Sequence, residues 1–178
     1  MSAPAAAQAL ADPADFKRGM RQLAASVSII TAQQGAGRRA GLTATAVTSV
    51  CADPPTLLVC VNRSSQTFPL MREAGRFCVN LLAAEHSDVA ARFADAALHG
   101  ESKFAHGAWH AGENGAPRLH AATAAFECAT LSLSEVGTHG IFVAAVTRIH
   151  VAPGRAPLLH FDGALTTLPM VSQAPARA

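Results

Sequence analysis

Charge is scarce in this 178-residue chain: charged residues make up 15% of it and hydrophobic residues 50%. A disordered chain needs the reverse balance, so a packed core is expected. Clustered cations are missing too. The net charge is +2, and only Lys17–Arg18 and Arg38–Arg39 stand side by side. A nucleic-acid-binding face gathers cations to displace counterions, so no nucleic-acid partner is expected. Long apolar runs are also absent. The longest stretch without Asp, Glu, Lys or Arg, Gln22 to Gly37, is rich in Ser, Gln and Gly. A membrane-spanning helix takes about 20 predominantly apolar residues, so no membrane association is expected. The opening MSAPAAAQALADP has neither the charged start nor the apolar stretch of a signal peptide.

The four cysteines, Cys51, Cys60, Cys78 and Cys128, form no CxxC pair. Each lies in an apolar run, which fits buried free thiols in a reducing, cytoplasmic setting better than disulfides. No GxxxxGK[ST] or GxSxG occurs, so neither a P-loop nor a nucleophile elbow is indicated. Gly35-x-Gly37-x-x-Ala40 imitates a dinucleotide fingerprint. That fingerprint works only where a helix begins, and here the strand-like LTATAVTSV follows. His106-x-x-x-His110 has ligand-like spacing, but it sits between glycines with no carboxylate or thiolate nearby, so solvated loop histidines are expected and no metal.

What is present is mostly β. Asp12-Pro13 offers an N-cap and a first-turn proline, and Phe16, Met20, Leu23 and Ala24 recur at helical spacing, predicting a helix over 13–25. SVSIITA and AGLTATAVTSV, joined by QQGAGRR, predict a long hairpin. ADPP then breaks the second strand. TLLVCVN predicts a short strand covered on both faces. TFPLMREAG predicts a helix behind Ser64-Ser65 that stops at Gly75. GRFCVNLLA is the next strand, and AEHSDVAARFADA the next helix. Residues 96–118 are expected as a long loop. AATAAFECATLSLSEV and GIFVAAVTRIHVAP predict long strands joined at Gly137–Gly140, and APLLHFDG a last short one. The result is about seven mostly consecutive strands and three helices. The fold class is mainly β with flanking helices, an antiparallel barrel or sandwich. One domain over 12–168 is expected, between tails at 1–11 and 169–178.

Two segments could carry chemistry. Gly41, Thr43, Ala44, Thr45, Ala46, Thr48 and Ser49 keep side chains short, so a flat ligand could approach the backbone there. Composition alone fits an ordinary strand with one solvated Thr/Ser face somewhat better. NRSSQT at 62–67 lies between a strand and a helix. Hydroxyls and free N–H groups at a helix N-terminus bind phosphate, and Arg63 would add charge; a plain serine cap fits equally well. Joined, the two segments would hold a flat ring and a phosphate.

GLTATAVTSVCADPPTLLVCVNRSSQT resembles the signature of the short-chain flavin reductases, the reductase halves of two-component flavin monooxygenases. The likeness continues through FKRGMRQLAASVSIITA, GRFCVNLLA, AARFA, KFAHGAW, FECATLSLSEVGTHGIFVAAV and PLLHFDG, covering about residues 14–168. The resemblance implies an FMN-binding split β-barrel of antiparallel Greek-key type, a homodimer, and FMN or FAD reduced by NADH or NADPH. Reduced flavin would pass to a separate monooxygenase component. By the same resemblance Thr43, Ala44, Thr45, Ala46 and Ser49 would line the isoalloxazine. Asn62, Arg63, Ser64, Ser65 and Thr67 would hold the ribityl phosphate. Asn80, Phe93, Lys103 and Phe104 would border the flavin, and His139 would face the nicotinamide. No acid–base pair is expected, because hydride passes directly between the rings. One departure stands out. The family's aromatic after the glycine of the last strand motif is replaced by Ala164 and Leu165 in HFDGALTTL, and the chain has no tyrosine. That leaves open a flavoprotein of this fold reducing another acceptor, such as a corrinoid, or a flavin-binding barrel without catalysis.

Overall fold

The structure is a computed structural model that describes residues 10–35 and 37–169. The expected tails fall outside the described residues except for Leu10, Ala11 and Pro169. In chain order the elements are α1 (Pro13–Arg21), β1 (Ala25–Ser26), β2 (Ser28–Gln34), β3 (Arg38–Ala44), β4 (Val47–Ala52), β5 (Pro55–Asn62), α2 (Thr67–Ala74), β6 (Arg76–Leu81), α3 (Ser87–Ala94), β7 (Trp109–Ala111), β8 (Pro117–Leu119), β9 (Ala124–Val136), β10 (His139–Val151), β11 (Leu158–Phe161) and β12 (Ala164–Thr167). Short 3₁₀ turns occupy Ala84–His86 and Gly100–Ala105.

Seven strands form one antiparallel sheet in the order β3-β2-β6-β9-β10-β5-β4. Its two edge strands, β3 and β4, are consecutive in the chain and separated only by Thr45 and Ala46. The sheet therefore curls until its edges face each other, which makes the expected split barrel. β5 reaches β6 through α2, skipping β10 and β9 in the sheet order, as a Greek key requires. Ile30, Val59, Val61, Phe77, Val79 and Phe142 fill the interior, and Phe68 and Met71 of α2 plug it. Phe68 meets Phe142 edge-to-face at 5.6 Å. A second cluster lies outside the wall, where Ile29 of β2 packs with Val89, Ala90 and Phe93 of α3 and with Phe104 and Leu119.

The structure departs from the sequence expectations at six places. AGLTATAVTSV is not one hairpin strand: β3 pairs with β2, whereas β4 pairs with β5 at the opposite sheet edge. The helix over 13–25 stops at Arg21 and buries no residue, because Ala25 and Ser26 extend to pair with β11. Its Asp12 cap forms as expected, accepting from the Ala14 N–H at 2.8 Å. TLLVCVN is covered on one face only; Leu58 and Cys60 are half-buried along a groove. The loop 96–118 contains a 3₁₀ turn and the β7–β8 hairpin, elements too short to show a period. ALTT is a strand, β12, where none was expected. Of the cysteines, Cys78 and Cys128 are buried, Cys60 is intermediate and Cys51 is exposed. Burial pushes the Cys128 thiol up to about 12, with Glu127 adding to the shift.

Glu127 of β9 is 1% exposed. Its carboxylate accepts the Asn114 N–H at 2.7 Å and meets His150 Nε2 at 3.1 Å. Gly112 is required beside it, since a Cβ there would lie 2.9 Å from the carboxylate. Burial works to raise the Glu127 pKa, but the Asn114 and Glu113 N–H groups and His150 outweigh it and leave it below its ordinary 4.5. A depressed carboxyl contributes stability above the unfolded value and loses it as pH falls through the folded one. Glu127→Gln should therefore cost about 1.5–3 kcal/mol at pH 7. In urea unfolding the gap to wild type should narrow as pH falls through 4.5 and below. A gap that stays constant down to acid unfolding would contradict this account.

Candidate active site

A cleft of about 530 Å³ opens where the β3–β4 corner, the end of β5, the N-terminus of α2 and the C-terminus of α3 converge. That volume lies within the roughly 300–1,000 Å³ of small-molecule sites. The strand period builds its wall. Ala40, Leu42 and Ala44 pack into the barrel core, so Gly41 and Thr43 face α3. The Thr43 hydroxyl donates to the Ala90 carbonyl at 2.6 Å. A Cβ on Gly41 would sit 2.5 Å from Cε1 of Phe93. Glycine is thus what lets α3 lie against β3. Thr45 and Ala46 complete a wall almost free of long side chains.

The end formed by α2 brings a helix N-terminus and several hydroxyls to the cleft. Asn62 Oδ1 accepts from both the N–H and the hydroxyl of Ser64, each at 2.9 Å. Ser65 Oγ accepts the Phe68 N–H at 3.2 Å. Ser64, Ser65, Gln66 and Thr67 thereby present the first turn of α2, where backbone N–H groups lack helical partners, to the cleft. His139 pairs with Asn62 across β10 and β5, which sets its imidazole at the cleft. Its Nδ1 lies 2.9 Å from the Thr138 hydroxyl.

The opposite end is the C-terminus of α3. Lys103 Nζ donates to the Phe93 carbonyl at 2.7 Å. Burial lowers the Lys103 pKa, and Asp95 partly offsets the shift. Phe104 lies beneath, edge-to-face with Phe93 at 5.0 Å and Trp109 at 5.1 Å. The Arg39 guanidinium stands 4.2 Å over the Phe104 ring and grips Glu101 with two bonds of 2.7 Å. These contacts fasten the 3₁₀ turn of residues 100–105 onto β3 and so fix Lys103. No Asp or Glu occurs among the described residues lining the cleft, and Lys103 is the only Lys or Arg there.

Of the residues expected at a site, Thr43, Ala44, Thr45, Ala46, Asn62, Ser64, Ser65, Thr67, Phe93, Lys103 and His139 converge on this cleft. Four do not. Ser49 lies on β4 along the apolar groove, because the strand breaks before it. Arg63 turns away: Glu135 pairs with it at 2.9 Å and the Gly137 carbonyl accepts from it at 3.3 Å. Asn80 is fully buried, donating to the Ile29 carbonyl at 3.2 Å and accepting the Leu119 N–H at 2.8 Å. Phe104 supports the cleft from below rather than lining it. Ala164 and Leu165, on β12, are also absent from the lining. Cys60, Gln66, Leu98, His99 and Gly100 line the cleft without having been anticipated. Gln66 alone had a sequence signal, its place inside NRSSQT.

The donor set fits a flavin nucleotide. The wall carries short side chains, one end is a helix N-terminus, and among the described residues no carboxylate lines the cleft to repel a phosphate. Comparisons with known proteins agree. The flavin reductase like domain matches residues 20–169. An NADH-dependent FMN reductase of Klebsiella variicola is 42% identical over 159 residues, covering 89% of this chain and 96% of that protein. Among solved structures, the flavin reductase component of a bacterial two-component tryptophan halogenase superposes with a TM-score of 0.82 at 30% identity, covering 90% of this chain and all of the other. The NADH:FAD oxidoreductase of Streptomyces globisporus, solved with NAD and FAD fragments, gives 0.79 at 30% identity, covering 96% of this chain and 100% of its own. With fold, cleft and sequence pointing the same way, the chain belongs to the flavin reductase like family.

Proposed function

We propose that this protein is an NADH-dependent FMN reductase that releases reduced flavin to a separate monooxygenase component. The observation that carries the reading is one cleft joining a wall of minimal side chains to the open first turn of a helix. Bound flavin would supply the ring nitrogen that accepts hydride. The chain supplies position. Thr43 to Ala46 support one face of the ring, and Ser64, Ser65 and Thr67 with the α2 N-terminus hold the phosphate. Phe93, buried against Gly41, Phe104 and Trp109, backs the cleft. His139, at the mouth beside Asn62, orients the nicotinamide. No side chain needs to take or give a proton, since direct hydride transfer makes orientation and electrostatics the protein's contribution. NADH and FMN are the partners named for the curated relatives. A cytoplasmic location accords with this chemistry, and no helix among the described residues is long and apolar enough to cross a membrane.

The same reading includes a homodimer. An apolar groove of about 940 Å³ runs along β4 and β5, lined by Leu23, Val47, Leu57, Leu58, Phe126 and Ile149. β4 is an open sheet edge, which folded proteins cover or blunt. Thr45, Ala46 and Cys60 border both groove and cleft, so a second copy seated in the groove would adjoin the flavin.

Purified protein should oxidise NADH at a rate that depends on added FMN; turnover indifferent to any flavin would refute the reading. His139→Ala should raise the KM for NADH several-fold while kcat changes less, the signature of lost binding. Unchanged kinetics would remove His139 from the site. Sedimentation velocity at micromolar concentration should give about twice the 18.3 kDa chain mass. A monomer at that concentration would contradict the dimer.

A further inference from the structure

The cleft has an electrical direction. Its α2 end is a helix N-terminus, the positive pole, and its α3 end a helix C-terminus, the negative pole. Phe93 and Ala94 bring the last turn of α3 into the lining, and Ala96 just beyond it follows. Left bare, its carbonyls would repel an electron-rich ligand. Lys103 changes that end. Its ammonium is bonded to the Phe93 carbonyl at 2.7 Å and has no carboxylate partner within 4.0 Å among the described residues. One ionised lysine more than offsets the roughly half charge of a helix C-terminus. Partial burial strengthens its field relative to an exposed lysine.

We propose that Lys103 stabilises the reduced flavin specifically, by setting a fixed positive charge beside the electron-rich part of its ring. The inference rests on the flavin reading above. In the reaction the C4–H bond of the dihydronicotinamide breaks, its electron pair and hydrogen form the N5–H bond, and NAD⁺ leaves. The flavin gains two electrons and one hydrogen, so its ring keeps a negative charge around N1 unless a further proton arrives. The α2 end holds the phosphate in both redox states and cannot discriminate between them. Lys103, at the far end, can. A charge near N1 is one of the protein's levers on flavin electronics. The other titratable groups there are Asp95, which partly offsets the lysine's shift, His99, which lines the same end, the paired Arg39 and Glu101, and Arg92, which donates from the last turn of α3 to the Ser102 carbonyl at 2.8 Å. The Arg39–Glu101 grip and the Phe93–Phe104 contact keep the ammonium in place through the redox cycle.

The test compares oxidised FMN with dithionite-reduced FMN in anaerobic titrations of wild type, Lys103→Met and Lys103→Arg, each checked for a native circular-dichroism spectrum. Lys103→Met should leave the Kd for oxidised FMN within about threefold and weaken that for reduced FMN about tenfold. For a two-electron couple that factor lowers the bound midpoint potential by about 30 mV. Lys103→Arg, which keeps the charge, should restore most of the difference. Equal weakening of both forms in Lys103→Met would overturn the proposal, because a purely packing role predicts it. An unchanged ratio of the two Kd values would overturn it too, as would Lys103→Arg behaving like Lys103→Met. Wild-type protein that binds neither form would overturn the flavin reading and this inference together.

Discussion

The chain crosses from one edge of a seven-stranded sheet to the other within two residues, Thr45 and Ala46. That crossing is what the rest of the structure depends on. β3 and β4 are continuous in sequence yet pair with different strands, so the barrel closes through the covalent chain and not through a ladder. The Ala46 carbonyl still accepts the Cys60 N–H at 3.0 Å, which pins the corner to β5. Short side chains let the backbone turn there, and they leave the corner open to solvent. The opening becomes the cleft once α3 lies across β3, and α3 can do so only because Gly41 gives Phe93 room.

Electrostatics then follows from where helices begin and end. α2 starts at the exit of β5 and presents its N-terminus; α3 finishes over β3 and presents its C-terminus. Neither end was placed by a local charge. Each is set by packing: Phe68 and Met71 bury one helix in the barrel mouth, and Val89 and Phe93 bury the other against its outer wall. Binding polarity is thus a by-product of the core, and Lys103 is the correction applied at the end where that by-product is unfavourable. Among the described residues the cleft lining holds His99, Lys103 and His139 but no Asp or Glu.

Much of this was legible in the sequence, for identifiable reasons. β-Branched runs marked the strands, Gly75 marked the end of α2, and Gly137–Gly140 marked the β9–β10 turn, although His139 and Gly140 already pair within β10. The corner at Thr45–Ala46 was not legible, because alternation continues through it without interruption. Ser49 was consequently placed with Thr43 although the two lie at opposite sheet edges. Asn80 and Arg63 occupy positions that resemblance marks, but side-chain direction depends on distant partners. Ile29 and Leu119 absorb Asn80, and Glu135 absorbs Arg63. His99 and Leu98 reach the cleft on a segment held by Arg39 and Glu101, a contact that no periodicity announces. The apolar residues of α1 and the second face of β5 predict cover that the described residues do not supply, because an apolar pattern does not say which element provides its cover.

The most direct measurement is isothermal titration calorimetry of the full chain with FMN and, separately, with riboflavin. A cleft that joins a flat wall to an anion-ready helix end predicts heat with both, and FMN at least tenfold tighter because of its phosphate. No heat with either ligand, or riboflavin binding as tightly as FMN, would contradict it.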